Sequence, residues 1–187
     1  MAPLDAGMIS AVIATLNDEA RLEATLAALT APAIDGFVRE VIVADAGSTD
    51  ATLAIAEEAG ARIVRAKGAA TLAEGCAAAR QPWFLLLQVG TRPQAGWEQA
   101  AWRHVNDHSD SAGWFQLSLK AGGVGARLAE ARANLEARLL GRPRAEQGLL
   151  IPRRLFEETL EKRPGPISLP LRLARGALRP LGARILG

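Results

Sequence analysis

Apolar positions cluster in short runs separated by polar, helix-spaced stretches. Met8 to Ala14 (MISAVIA) is almost wholly apolar, the pattern of a strand buried on both faces. Thr15-Leu16-Asn17-Asp18 breaks the run and offers side chains that cap a helix. Leu22, Leu26 and Leu29 then follow at helical spacing within Glu19 to Leu29. Val38 to Ala44 (VREVIVA) predicts a second strand. The turn Asp45-Ala46-Gly47-Ser48-Thr49-Asp50 runs into a helix over Ala51 to Ala59, with Ser48, Thr49 or Asp50 as its cap. Gly60 stops that helix before a short strand, Ala61 to Arg65. Thr71 to Arg80 predicts a helix containing Gly75, and Trp83 to Val89 (WFLLLQV) is the most apolar strand. A helix over Gly96 to His108 and a strand over Gly113 to Leu119 complete the regular half.

Strict alternation of strand and helix predicts an α/β fold, a single domain whose mostly parallel sheet is flanked by helices on both faces. Ligands of such sheets bind beyond the carboxyl ends of the strands. That rule selects Thr15–Glu19, Asp45–Asp50 and Gln88–Arg92. The second half is less regular. A long helix is expected over Val124 to Leu140, a strand over Gly148 to Ile151 and a helix over Arg153 to Lys162. Pro164, Pro166, Pro170 and Pro180 then punctuate a tail expected to be irregular or held by docking. The chain thus divides into a domain over 1–163 and a basic segment over 164–187.

Composition narrows the setting. At 187 residues, 49% hydrophobic and 22% charged, the chain can build a core, and wholesale disorder is excluded. The lone Cys76 excludes an intrachain disulfide and a cysteine-rich zinc site, which suits a reducing, cytoplasmic compartment. The first residues lack the basic and long apolar regions of a signal peptide. The run Trp83–Leu87 is far too short to span a bilayer.

The net charge of +2 conceals a split: residues 1–119 carry 8 Lys+Arg against 14 Asp+Glu, and residues 120–187 carry 14 against 6. The basic end points to a partner protein or an anionic membrane surface, with peripheral attachment at the inner membrane as the membrane version. It also fits the last strand and helix of the domain with solvated arginines. Pro170 and Pro180 argue against one long amphipathic helix, so docking or a partner contact is favoured. Basic and aromatic residues do not interleave, so nucleic acid is not expected as a partner. Trp83, Trp97, Trp102 and Trp114 are expected in the core. His104 and His108 have chelating spacing, but an exposed helix end is the simpler expectation.

No G-x-x-x-x-G-K-[ST] or G-x-G-x-x-G is present, which removes P-loop and dinucleotide-binding chemistry. Asp45 and Asp50 flank a glycine turn at a strand end. Their carboxylates can accept hydrogen bonds from a ribose or base, or serve only as turn residue and helix cap. Both readings stand at this point.

Four ordered blocks carry a resemblance: VIATLNDEARLEATLAAL (12–29), EVIVADAGSTDAT (40–52), WFLLLQVGTRPQAGW (83–97) and RLAEARANLEARLLGRPRAEQGLLIPRRLFEE (127–158). They resemble family-two glycosyltransferases, whose Rossmann-like fold is called GT-A. The last block resembles a bacterial subgroup reading close to A-N-L-R-S-R-L-L-G-L-P-Y-G-D-Q-G-L-F-V. The resemblance implies a nucleotide-sugar donor, with Thr15, Asn17 and Glu19 lining the base and ribose pocket. It implies that Asp45 hydrogen-bonds the nucleotide and that Ser48 and Asp50 shape the turn.

Departures from the family pattern are equally specific. The family's acidic metal motif, D-x-D or H-x-D, is here Gln88-Val89-Gly90. A hard divalent cation needs carboxylate oxygens, so the family's Mg²⁺ or Mn²⁺ is not expected to bind, and no other cofactor or metal is expected. The acidic pair that supplies the subgroup's base aligns with Ile167–Pro170, and no acid follows Glu161. Lys67 and Arg92, and also Arg144, are candidates to neutralise phosphates, and Glu146 is the candidate base. Two readings follow. One is a transferase of weakened chemistry acting on an unknown acceptor. The other is a pseudoenzyme, a catalytically inactive homologue serving as a binding or interaction module.

Overall fold

The computed structural model describes residues 9–66, 71–119, 123–141, 143–162, 173 and 176–187. The first half runs β1 (Ile9–Thr15), α1 (Glu19–Ile34), β2 (Val38–Asp45), α2 (Thr52–Glu58), β3 (Arg62–Arg65), α3 (Thr71–Ala78) and β4 (Trp83–Gln88). There follow β5 (Arg92–Pro93), α4 (Trp97–Asp107), β6 (Ala112–Ser118), α5 (Val124–Leu140), a 3-10 turn (Ala145–Gln147), β7 (Leu149–Pro152), α6 (Arg153–Lys162) and β8 (Leu178–Leu186). One sheet holds the eight strands in the order β3-β2-β1-β4-β7-β6-β8-β5. It is mixed: β1 pairs parallel with β2 and β4, β2 with β3, and β6 with β8. Strand β7 runs antiparallel to β4 and β6, and β5 antiparallel to β8.

Burial explains why β1 and β4 are continuous apolar runs. Successive side chains point to opposite faces, and both faces are covered. Ile9, Ala11 and Ile13 pack with Leu22, Leu26 and Leu29 of α1 and with Trp97 and Val105 of α4. Val12 points the other way, into a cluster with Leu72 and Cys76 of α3 and Phe84, Leu86 and Phe156. Gly75 is needed where α3 crosses the sheet. A Cβ there would stand 2.7 Å from Val12 Cγ1 and 2.9 Å from Ala44 Cβ, closer than carbon atoms approach.

The tail departs from expectation. Leu178–Leu186, expected to be irregular or docked, is a strand between β6 and β5. Leu181, Ala183 and Ile185 are buried while Arg179 and Arg184 face outward, a period of two. Pro180 and Gly182 obscured that alternation. They sit where the β6–β8 register shifts between Trp114 and Gln116, a place where a sheet tolerates residues that break a ladder. The tail is therefore no free amphipathic segment over these residues. Residues 163–172, including the stretch aligned with the missing acidic pair, lie outside the described residues.

Two smaller expectations also change. His104 is buried rather than exposed, and its Nε2 lies 2.9 Å from the Ser111 carbonyl oxygen. Burial pushes its pKa below the ordinary histidine value. Trp83, Trp97 and Trp114 are core residues, but Trp102 is half-exposed. Helix α5 buries only Ala133 and Ala137 and leaves Val124, Leu128, Leu135 and Leu139 exposed along one stripe. No helix among the described residues is long and apolar enough to cross a membrane.

Replacing Gly75 by Ala is expected to lower unfolding stability by about 1–3 kcal/mol, through overpacking against Val12 and Ala44. Gly125→Ala, in open space on α5, is expected to be neutral or to stabilise by about 0.4–1 kcal/mol. Urea denaturation of the two variants checks the contrast.

Candidate functional site

Strand direction places every candidate segment on one edge of the sheet. The carboxyl ends of β1, β2 and β4 lie together because the three strands run parallel. Strand β7 enters antiparallel beside the end of β4, Leu149 opposite Leu86, so the turn Ala145–Gln147 lies at that same edge. The end of β8 arrives there too, with Gly187 hydrogen-bonded to the Ser118 carbonyl.

The β1–α1 and β2–α2 loops are locked to each other by hydrogen bonds exchanged in both directions. Asn17 takes a left-handed backbone, φ 53°, which asparagine tolerates better than most residues. Its N–H donates to Ser48 Oγ at 2.8 Å, and its Oδ1 accepts the Thr49 N–H at 2.8 Å. Asp18 N–H donates to Thr52 Oγ1 at 2.8 Å. The two helix N-termini then cap each other. Glu19 N–H donates to Asp50 Oδ2 at 3.3 Å, and Glu19 Oε2 accepts the Ala51 N–H at 2.9 Å. Asp50 Oδ1 also accepts the Thr52 N–H at 3.0 Å. Each carboxylate thus satisfies first-turn donors that have no partner within their own helix. The Thr52 hydrogen bond holds the Asp50 carboxyl below the usual carboxylate range.

Asp45 is almost wholly buried, and its carboxylate organises the second loop from beneath. It accepts the Gly47 N–H at 2.9 Å, the Ser48 N–H at 3.0 Å and the Ser48 hydroxyl. Gly47 takes φ 110°, a conformation a side chain would strain. Thr15 is buried, and its Oγ1 donates to Asp18 Oδ2 at 3.3 Å.

The turn after β4 is held against α1. Gly90 N–H donates to Thr25 Oγ1 at 2.8 Å, and Thr91 Oγ1 donates to the Gln88 carbonyl at 2.6 Å. Gln88 Oε1 and Arg92 Nε are buried without a hydrogen-bond partner among the described residues. Gly90 has φ 92°, and the stem of Arg21 lies 3.5 Å from where its Cβ would begin. The chemistry of this turn does not fit a divalent cation: it presents one neutral amide oxygen and no carboxylate. Among the described residues no group of three or more His, Cys, Asp or Glu is placed to hold a metal.

Glu146 is half-buried in the 3-10 turn. The neighbouring Gln147 is fully buried and fixes that turn. Its Oε1 accepts the Arg144 N–H at 2.8 Å, and its Nε2 donates to the Phe115 carbonyl at 3.2 Å and to Asn134 Oδ1 at 3.1 Å. Asn134 bonds both the N–H and the carbonyl of Leu117, taking the place of a neighbouring strand for β6. Arg144 pairs with Glu136 at 3.3 Å.

Residues 10–116, more than half of the chain, match the family described as glycosyl transferase family 2. The chain belongs to glycosyl transferase family 2. Among its family relatives, glucosyl-3-phosphoglycerate synthase of Mycobacterium tuberculosis is 37% identical over 97 residues, and the Mycobacterium bovis enzyme matches equally. The match covers 52% of this chain but only 24% of those relatives, so it spans about a quarter of their length. The fold agrees with the family's GT-A architecture. The M. tuberculosis synthase solved with Mn²⁺, UDP and glucosyl-3-phosphoglycerate superposes with a TM-score of 0.61 at 20% identity, covering 93% of this chain and 69% of that one. The same synthase with Mn²⁺ and UDP-glucose gives 0.61 at 20% identity over 93% and 68%.

Thr15, Asn17, Glu19, Asp45, Ser48 and Asp50 are thus brought into one cluster, and Gln88, Gly90, Arg92 and Glu146 lie on the same edge of the sheet. Lys67 lies outside the described residues. Thr49, expected only as a possible helix cap, joins the cluster, as do Thr52 and Arg21, which were not singled out. Of these, Thr52 had a legible signal, since it sits two residues beyond a capping Asp.

Asp50 has a lower pKa folded than unfolded, so its contribution to stability is present above the ordinary carboxylate range and is lost as pH falls through the folded value. Asp50→Asn is expected to flatten the acid limb of stability against pH. Urea midpoints at pH 7, 4 and 3 check this.

Proposed function

We propose that this protein binds a nucleotide-sugar donor across the β1–α1 and β2–α2 loops and transfers the sugar to an acceptor, by chemistry weaker than the family pattern allows. The observation that carries this reading is the convergence of both loops, the Gln88–Arg92 turn and Glu146 on one edge of the sheet. Solved relatives that bind UDP or UDP-glucose share this fold, which supports the donor class. The mutual capping leaves the loops preorganised, with Asn17, Glu19 and Asp50 at the surface where a base and ribose would lie, over the floor made by Asp45 and Thr15.

In the transfer, the acceptor hydroxyl oxygen attacks the anomeric carbon and the bond to the donor phosphate oxygen breaks. The hydroxyl proton passes to Glu146, and the nucleoside diphosphate leaves. Glu146 is the acid at this edge that no described hydrogen bond or ion pair occupies. The second reading, an inactive homologue acting as an interaction module, is favoured by one observation: Gly90 leaves the turn without a carboxylate. On that reading the partner or membrane contact moves from the tail to α5, whose exposed Val124, Leu128, Leu135 and Leu139 are flanked by Arg127, Arg132 and Arg138.

Calorimetric titration with UDP- and GDP-sugars is expected to show binding of one donor, and slow release of its sugar is expected to follow. Glu146→Gln is expected to lower that turnover by about 10²–10⁴-fold with donor affinity unchanged. Binding without turnover supports the inactive reading, and no binding of any donor contradicts both the pocket and the transfer.

A further inference from the structure

Resting on the donor-binding reading, we infer that the diphosphate of the bound nucleotide is held by the Arg21 guanidinium, so that donor binding needs no divalent cation. Any donor diphosphate carries two or more negative charges and must meet positive charge at this edge. Among the described residues no carboxylate is placed at this turn to hold a metal that would supply it. Gln88 offers a single neutral oxygen, and residue 90 offers none. A side chain at position 90 would be strained, because its φ of 92° is one that residues with a Cβ rarely adopt; the Arg21 stem lies in ordinary contact, 3.5–3.9 Å from where that Cβ would stand.

The aliphatic stem of Arg21 thus lines the place where a side chain at position 90 would begin, with the guanidinium beyond it paired to Asp18. Three contacts fix it there. Thr25, one helical turn beyond Arg21 on the same face of α1, accepts the Gly90 N–H at 2.8 Å and ties the turn to the helix. Arg21 pairs with Asp18 Oδ1, which orients the guanidinium. Asp18 Oδ2 in turn accepts the Leu16 N–H at 3.3 Å, so Arg21 is held to the same loop that carries Asn17.

Arginine suits the role. Its planar fork presents five N–H donors, of which Asp18 uses one, and it matches phosphate oxygens in pairs. The Arg21 side chain is 60% exposed, so it remains open to a ligand. The buried Arg92 Nε, without a partner among the described residues, places a second arginine beside the same turn. A monovalent organic cation differs from a bound metal in one respect that matters for chemistry. It neutralises the leaving diphosphate less completely, so slower transfer than with a bound metal is expected.

The test is calorimetric titration of the full chain with UDP, GDP, uridine and guanosine, each in EDTA and in Mn²⁺, alongside Mn²⁺ alone. The diphosphate that binds is expected to do so with an affinity that changes less than about threefold between EDTA and Mn²⁺, with no heat from Mn²⁺ alone. Arg21→Ala is expected to weaken that diphosphate by about tenfold or more and to leave its nucleoside unchanged, with Arg21→Lys in between. Far-UV circular dichroism confirms that the variants fold, as this exposed position permits. Binding that requires Mn²⁺, or an Arg21→Ala affinity equal to the parent, overturns the inference and leaves the donor pocket standing. Absence of binding by any nucleotide or nucleoside overturns the donor reading itself, and the inference with it.

Discussion

The reciprocal capping of α1 and α2 is the constraint on which the candidate site depends. Two helices begin side by side at the carboxyl edge of a parallel pair of strands, and each leaves first-turn N–H groups without partners in its own helix. Glu19 serves α2 and Asp50 serves α1, while Asn17 donates its N–H to Ser48 Oγ and accepts the Thr49 N–H, joining the loops that lead into the two helices. Hydrogen bonds to charged acceptors of this kind contribute about 1.5–3 kcal/mol when shielded and less at an exposed edge. Their number, more than their individual strength, makes the two loops one rigid surface. The buried Asp45 supports that surface from below by collecting the donors of the Gly47–Ser48 turn.

This division of labour explains how the loops and sheet are held with no carboxylate in the turn after β4. Residues that shape the loops bond to backbone groups, so losing one would leave a buried or first-turn donor unpaired. A carboxylate that binds only a metal has no such structural duty. Replacing it with Gly90 leaves the turn held by Thr25 and Thr91, and the sheet beneath it untouched. The same logic applies at the other end of the site. Gln147 and Asn134 bond strand carbonyls and amides between α5 and β6, and they keep Glu146 at the edge whatever its chemical role.

Much of the fold was legible from residue patterns, because buried parallel strands such as VIVA and FLLL are nearly free of polar residues. The expected helix over Val124 to Leu140 has those same bounds in the structure. Strand β8 was legible only as the less favoured of two readings of the tail. Its alternation is interrupted by Pro180 and Gly182 at a register shift that only the partner strand β6 reveals. Helix α1 also runs past Leu29 to Ile34, since Pro32 falls near its end, where the bond it deletes matters least. At the site, the motif residues were legible and their partners were not. Nothing local distinguishes Arg21 from other exposed helix arginines until the turn carrying Gly90 is folded against it.

On the proposed reading these loops hold a nucleotide at an edge where position 90 is glycine and Arg21 meets the diphosphate. Crystals grown with UDP or GDP and excess Mn²⁺, with data collected at the manganese absorption edge, test it most directly. Nucleotide density is expected over the Asn17 and Asp50 loops, with a diphosphate within hydrogen-bond distance of Arg21 and no anomalous peak beside Gln88. A manganese peak bridging the diphosphate and the Gln88–Gly90 turn would contradict it.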